Sequence, residues 1–203
     1  AAPPAAQATG ADGADAAAHP GSVGIPLPLH ELRIVDDTLQ EVPAGIVGEI
    51  MGRGPILMPG YHRQPGLTQA AIVDGWLRTG DLGFVDEAGY LHLVDRQKDL
   101  IISGGVNVYP RDIEEIITRH PAVREAAVFG APHPRWGESP IAAVLLKAGA
   151  VIEADQLREW VNANVAARFQ RITGLRIHRD FPRNAAGKTL KRELRASHLS
   201  HGA

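Results

Sequence analysis

Gly75-Trp76-Leu77-Arg78-Thr79-Gly80-Asp81 and, one hairpin later, Asp95-Arg96-Gln97-Lys98-Asp99-Leu100-Ile101-Ile102-Ser103-Gly104-Gly105 form the stretch on which the reading of this chain turns. Asp81 closes a strand on a glycine turn, where a carboxylate can accept both hydroxyls of a vicinal diol, and Arg96 lies close enough in sequence to reach the same nucleotide. On spacing alone Gly80-Asp81 is more often just a turn, and Asp95-Arg96, an arginine beside an aspartate after a strand, is usually a surface ion pair worth ~0–1 kcal/mol. Ser103-Gly104-Gly105 offers backbone without bulky side chains, either to line a narrow ligand channel or as a plain turn ahead of Pro110.

Upstream of this stretch the pattern is one of short strands: Leu32–Val35, Gly45–Ile50 and Leu82–Val85, the last paired with Tyr90–Leu93 across the turn Asp86-Glu87-Ala88-Gly89. The sole helical candidate there is a short one at Thr68–Val73. Downstream, Pro110 stands where a first helical residue belongs and Ile113, Ile116 and Ile117 recur at helical spacing, predicting a helix over Pro110–Arg119. Buried strands at Ala126–Phe129 and Ile141–Leu146 are expected, joined by a loop over Gly130–Pro140. A helix over Glu153–Arg168, a strand at Leu175–His178 and a last helix after Leu190 complete the chain. The fold class is α+β. The expected organisation is a flexible Ala/Pro-rich lead-in over 1–20, a β-rich domain over 21–97 and an α+β domain over 98–203.

Composition narrows the function. With 203 residues, 44% of them hydrophobic, the chain can bury one ordinary core or two small ones. A formal net charge of -2 gives no global basic field for nucleic acid or an anionic membrane. There is no cysteine, which removes disulfides, thiolate metal sites and a cysteine nucleophile together. No apolar run approaches the ~20 residues of a membrane span, and the first twenty residues lack the basic start of a signal peptide. The expected location is the cytoplasm.

Three further groups carry candidate chemistry. Pro182-Arg183-Asn184-Ala185-Ala186-Gly187-Lys188-Thr189 sets Lys188 behind a glycine in a loop between strand and helix. A lysine there is mobile enough to swing onto a phosphate or carboxylate, or is a solvated turn residue. Gly187-Lys188-Thr189 imitates the end of a phosphate-binding P-loop, but Pro182 stands where that motif requires glycine. Trp136 in Arg135-Trp136-Gly137-Glu138, and Phe169 beside Arg171, can stack on a purine near a phosphate or pack into a core. The nine histidines show no ligand spacing, and no metal site is expected from them.

Taken in order, Gly48-Glu49-Ile50 with Gly60-Tyr61, Gly75–Asp81, Asp95–Gly105, Val108-Tyr109-Pro110 with Ile113-Glu114, and Pro182–Lys188 resemble the second half of an adenylate-forming enzyme. That superfamily holds acyl-CoA synthetases, peptide-synthetase adenylation domains and luciferases. The resemblance runs from about Gly21 to Arg195 and is strongest to acyl-CoA synthetases. It implies a β-rich remnant of the large-domain barrel followed by the small mobile C-terminal domain. In such enzymes a carboxylate and ATP give an acyl adenylate and pyrophosphate, and a thiol then displaces AMP.

Carried over by motif, the resemblance implies that Asp81 and Arg96 bind the ribose, Lys188 bridges the substrate carboxylate and the α-phosphate, and Lys98 is a hinge. Rotation there would bring Ser103, Gly104 and Gly105 to the pantetheine tunnel, with Trp136, Phe169 and Arg171 near the CoA nucleotide. ATP or AMP and CoA are the implied cofactors, with Mg2+ accompanying ATP in the complete enzyme, and a carboxylic acid the implied substrate. The family's ATP-phosphate loop and its aromatic-Gly-x-Thr-Glu block do not occur in these residues. The expectation is therefore a partial enzyme, inactive alone. The alternatives are an AMP- or CoA-binding regulatory module, half of a split enzyme with a separately encoded N-terminal part, or a piece of a peptide-synthetase adenylation domain.

Overall fold

A computed structural model describes residues 19–200. The chain forms two compact units, one ending at Lys98 and the other beginning at Asp99. Its mixed strands and helices make it an α+β chain.

The first unit is a mostly antiparallel sheet. Its strands are β1 (Ser22–Gly24), β2 (Glu31–Val35), β3 (Gly48–Arg53), β4 (Ile72–Val73), β5 (Trp76–Val85) and β6 (Leu91–Arg96). The order is β1-β6-β5-β3-β2, with β4 paired to β5. Ile34, Ile50 and Leu91 form its core, because alternate residues of each strand share a face. The predicted hairpin is present, and its turn is held by Asp86, whose Oδ1 accepts the N–H groups of Ala88 (3.0 Å) and Tyr90 (2.9 Å).

Two upstream expectations move. The strand predicted from Gly45 starts at Gly48, since Gly45 adopts φ +80° in a turn closed by Ile46 N–H onto Pro43 O, and it continues to Arg53. The short helix, α1, spans Pro65–Ala71, one turn earlier than predicted because Pro65 starts it, and Ile72-Val73 pairs with β5 instead.

The second unit is built on one long hairpin, β9 (Val123–His133) and β10 (Gly137–Leu146). The strand β11 (Gly174–His178) runs parallel to β10, and the small hairpin of β7 (Ile101–Ser103) and β8 (Val106–Val108) joins the start of β10 at Gly137↔Ser103. Alternation sorts the hairpin's side chains into two cores. Val128, Ala142 and Val144 face α2 (Pro110–Thr118) and α3 (Ala154–Asn164), meeting Ile113, Ile117, Leu157 and Val161. Ala127, Phe129, Ile141 and Ala143 face the other way, onto Phe181 and Leu194 of α4 (Lys191–Ser200). Burial on both faces explains why these strands read as unbroken apolar runs. Each buried isoleucine or leucine here contributes about 1.5–3 kcal/mol.

The loop predicted over Gly130–Pro140 is instead mostly strand, with a turn confined to Pro134-Arg135-Trp136. Pro132, Pro140 and the glycines read as punctuation. Yet Gly130 and Pro140 face each other across the ladder, and Ala131 and Ser139 are buried. The helix predicted to Arg168 ends at Asn164, where Val165 turns extended at ψ 144°. Asn162 fixes that exit: its side chain accepts the Ile172 N–H (2.8 Å) and donates to the Ile172 carbonyl (3.0 Å), drawing the following chain back along α3.

Candidate functional site

In the first unit the site is built around a bulge. Glu49 faces Leu82 and Met51 faces Arg78, so Thr79, Gly80 and Asp81 together stand opposite the single residue Ile50. Gly80 takes φ +70°, although a Cβ there would meet nothing within 4 Å, so conformation and not space requires the glycine. The bulge is braced from beneath. The buried Glu49 accepts from Arg78 Nε (3.0 Å) and Nη2 (2.6 Å) through Oε2, and from the Gly80 N–H (3.3 Å) through Oε1. The hydrogen bond to Glu49 raises the Arg78 pKa from its ordinary value. Thr79 Oγ1 donates to the Ile50 carbonyl (2.7 Å) and accepts the Asp81 N–H (3.1 Å).

This brace delivers Asp81 to its cross-strand partner Arg96, with Nε–Oδ1 at 3.0 Å. A second irregularity follows at once. Gly83 pairs with Leu93 and Leu82 with Asp95, leaving Val94 as the extra residue of β6. Gly83 admits no side chain, since a Cβ would fall 2.5 Å from the His92 carbonyl oxygen. The Asp81–Arg96 pair is partly exposed, at 16% and 30%, which leaves it accessible to a hydroxyl-bearing ligand. Lys98 lies exposed in the 3-10 turn Gln97–Asp99.

In the second unit Lys188 lies exposed on the returning limb of a loop that turns at Ala185-Ala186 and is held by several hydrogen bonds. Asn184 Oδ1 accepts the N–H groups of Ala186 (3.0 Å) and Lys188 (2.9 Å), and Asn184 N–H donates to the Lys188 carbonyl (3.0 Å). Arg183 Nη1 donates to the Gly187 carbonyl (3.0 Å), and Arg183 and Thr189 both reach the Glu125 carboxylate on β9. A mobile lysine was expected in a loop between strand and helix. The backbone is fixed, and what reach Lys188 has comes from its side chain.

The other predicted residues gather elsewhere in the same unit. Gly104 N–H donates to the Trp136 carbonyl (2.8 Å), and a Cβ on Gly104 would sit 3.0 Å from Trp136 Cε3, so this turn packs directly on the indole. Ser103 is buried, Gly104 and Gly105 are exposed, and both glycines take positive φ. Trp136 is 44% exposed, with the Arg135 guanidinium 4.5 Å from the ring centre. Phe169, 42% exposed, lies in the 3-10 turn Arg168–Gln170 that packs beside β8, and Arg171 follows it exposed.

Both groups are tied to β9 and β10, at opposite ends. Glu125, which anchors the Lys188 loop, and His133, which borders the Trp136 turn, are eight residues apart along β9. At about 3.3 Å per residue that is ~26 Å. The structure therefore brings Asp81 to Arg96 and Gly104 to Trp136, and holds Lys188 away from Trp136. Glu49, Arg78, Asn184 and Glu125 were missed as site residues. An acidic residue inside the apolar strand Gly48–Arg53 was the available signal for Glu49. Among the described residues no group of three or more His, Cys, Asp or Glu is placed to hold a metal ion.

Comparison with known proteins identifies the family. Residues 2–62 match the AMP-binding enzyme family and residues 112–188 the AMP-binding enzyme C-terminal domain. The chain belongs to the adenylate-forming superfamily of AMP-binding enzymes, and its relatives there are acyl-CoA ligases. It is 44% identical over 175 residues to the 2-succinylbenzoate–CoA ligase of Bacillus cytotoxicus, covering 86% of this chain and 36% of that protein. It is 39% identical over 176 residues to the long-chain-fatty-acid–CoA ligase of Bacillus subtilis, covering 86% of this chain and 31% of that one. ATP-bound MatB from Rhodopseudomonas palustris superposes with a TM-score of 0.82 at 40% identity, over 88% of this chain and 36% of MatB. The chain thus spans about a third of the length of the relatives it matches.

Proposed function

We propose that these residues supply the ribose-facing and thiol-facing parts of an acid–thiol ligase. ATP and a carboxylate form an acyl adenylate with loss of pyrophosphate, and the CoA thiol then attacks the acyl carbon and expels AMP. Asp81 accepts the ribose hydroxyls, with Arg96 fixing its orientation. Lys188 bridges the substrate carboxylate and the α-phosphate during adenylation, where a cation offsets developing negative charge. Ser103, Gly104 and Gly105 line the pantetheine path, while Trp136 and Phe169 stack on the CoA adenine near Arg171.

The observation that carries this reading is that the two loops are tied to β9 eight residues apart, at Glu125 and His133, which at the rise of an extended strand is ~26 Å. A lysine at one end and the glycine turn at the other cannot attend one reacting carbon in a single pose. Rotation about Lys98 between half-reactions supplies both poses, and it makes the fixed loop around Lys188 an asset, since the whole end moves as a body. Nothing in the described residues selects the acid.

These 203 residues carry no loop of the kind that grips ATP phosphates. By themselves they are expected to give no ATP–pyrophosphate exchange, while calorimetric titration is expected to detect CoA binding that Trp136→Ala weakens. Exchange by the purified chain would overturn the partial-enzyme reading. Titration with AMP and CoA showing neither would overturn the ligand roles. Because every proposed CoA contact lies within the second unit, a CoA-binding module is the second reading, and binding of CoA without AMP favours it.

A further inference from the structure

The β7–β8 hairpin buries Ile101 and Val108 in the core but is thinly hydrogen-bonded to the sheet. It meets β10 through the single pair Ser103↔Gly137, supplemented by the Gly104 N–H to Trp136 carbonyl bond. One residue further along β10, the Glu138 carboxylate enters the same junction. Its Oε2 accepts the Ile102 N–H (3.4 Å), and its Oε1 receives Arg195 Nη2 of α4 at 2.7 Å. The carboxylate lies over Gly130, where any Cβ would sit 2.7 Å from Oε2. β7 is therefore held on the central hairpin by a side chain that is itself held from α4, and it occupies a seat that glycine keeps open.

We propose that Glu138, fixed by Arg195, is the positioning residue of the Ser103-Gly104-Gly105 turn: it sets the turn against Trp136 and so shapes the CoA-side surface. Without that carboxylate the Ile102 N–H loses its acceptor, and the hydrogen-bonded attachment of β7 to the central hairpin is left to Ser103 and Gly104, while Ile101 stays buried in the core. Gly104 has no side chain to wedge it against the indole, so its approach to Trp136, close enough that a Cβ would fall 3.0 Å from the ring, depends on where β7 is placed. The functional arm of this inference rests on the CoA reading above; the positioning arm does not.

The test uses the whole chain with Glu138→Ala, Glu138→Gln and Arg195→Ala. Hydrogen exchange of the Ile102 and Gly104 amides is expected to speed up at least tenfold in Glu138→Ala. It should rise less in Glu138→Gln, which keeps an acceptor, while Val128, Ala142 and Val144 exchange as before. The affinity for CoA is expected to fall about tenfold, the scale of one charge-assisted hydrogen bond. Arg195→Ala, a change at a half-exposed side chain that spares the cores, should reproduce the direction of both effects. Unchanged exchange at Ile102 and Gly104, or a uniform rise through β9 and β10, overturns the positioning role. If the unaltered chain binds no CoA, the CoA reading fails, and the exchange arm still decides the role of Glu138.

Discussion

Glu49 carries more of the ribose-facing site than its distance from any ligand suggests. It is 5% exposed, and its two oxygens hold Arg78 and the Gly80 N–H, so the bulge that presents Asp81 rests on one buried carboxylate. Removing one partner of a buried pair typically costs ~3–5 kcal/mol. Arg78 is 35% exposed, so solvent screens part of the interaction and a loss of about 1–3 kcal/mol is expected for Glu49→Ala. Denaturant unfolding measures it, and a loss under ~0.5 kcal/mol would refute the brace. Gly80 carries the complementary constraint, in conformation rather than contact. Asp81 and Arg96 were legible in the sequence as candidate contacts to one nucleotide. Their brace was not, because a bulge of three residues opposite one leaves no periodic signature.

At the scale of elements, helix α4 is the piece most exposed to acid. His198 on α4 and His178 on β11 both have pKa values below the ordinary 6.5, from burial first and then from Arg176, with His178 adding to the shift at His198. The unfolded chain binds these protons more readily than the folded one, so stability rises with pH through this range. Their contribution is present above about 6.5 and is lost as pH falls below it. The expected outcome is a midpoint of unfolding that drops on acidification from pH 7.5 to 5.5, with less drop in His178→Gln/His198→Gln; equal drops in both chains would contradict it.

Asp86 acts in a lower window. Donation from His92, then the Tyr90 N–H, depresses its carboxyl to about 2 from the ordinary 3.8, and the hairpin loses that support as pH falls through this interval. The elements themselves were read well where periodicity was strong, as in α2 and the β5–β6 hairpin. They were misread at Gly130–Pro140, where burial on both faces let a strand run through residues that usually end one. The Lys188 loop was found by its Gly-Lys pair, but its rigidity depends on Glu125, which is far away in sequence.

Over the whole molecule, each unit has its own core, and the first leaves Ile25, Leu29, Ile46, Ile56 and Leu67 exposed. Together with the edge strand β2 these apolar side chains favour association of the isolated chain. Light scattering is expected to rise with concentration, and a salt-independent monomer at all concentrations would count against it. The α+β class and the superfamily were legible from motif order.

The separation of Lys188 from Trp136 was implied by the resemblance alone and not by residue spacing, because it depends on which end of a hairpin each loop is tied to. That separation is the central claim, and it is tested by joining this chain to the upstream two-thirds of the Bacillus cytotoxicus ligase and measuring both half-reactions. Lys188→Ala is expected to cut ATP–pyrophosphate exchange ~10²–10³-fold, while Trp136→Ala leaves exchange intact and slows thioester formation. Equal loss of both half-reactions in both variants, or unchanged exchange in Lys188→Ala, would contradict the account.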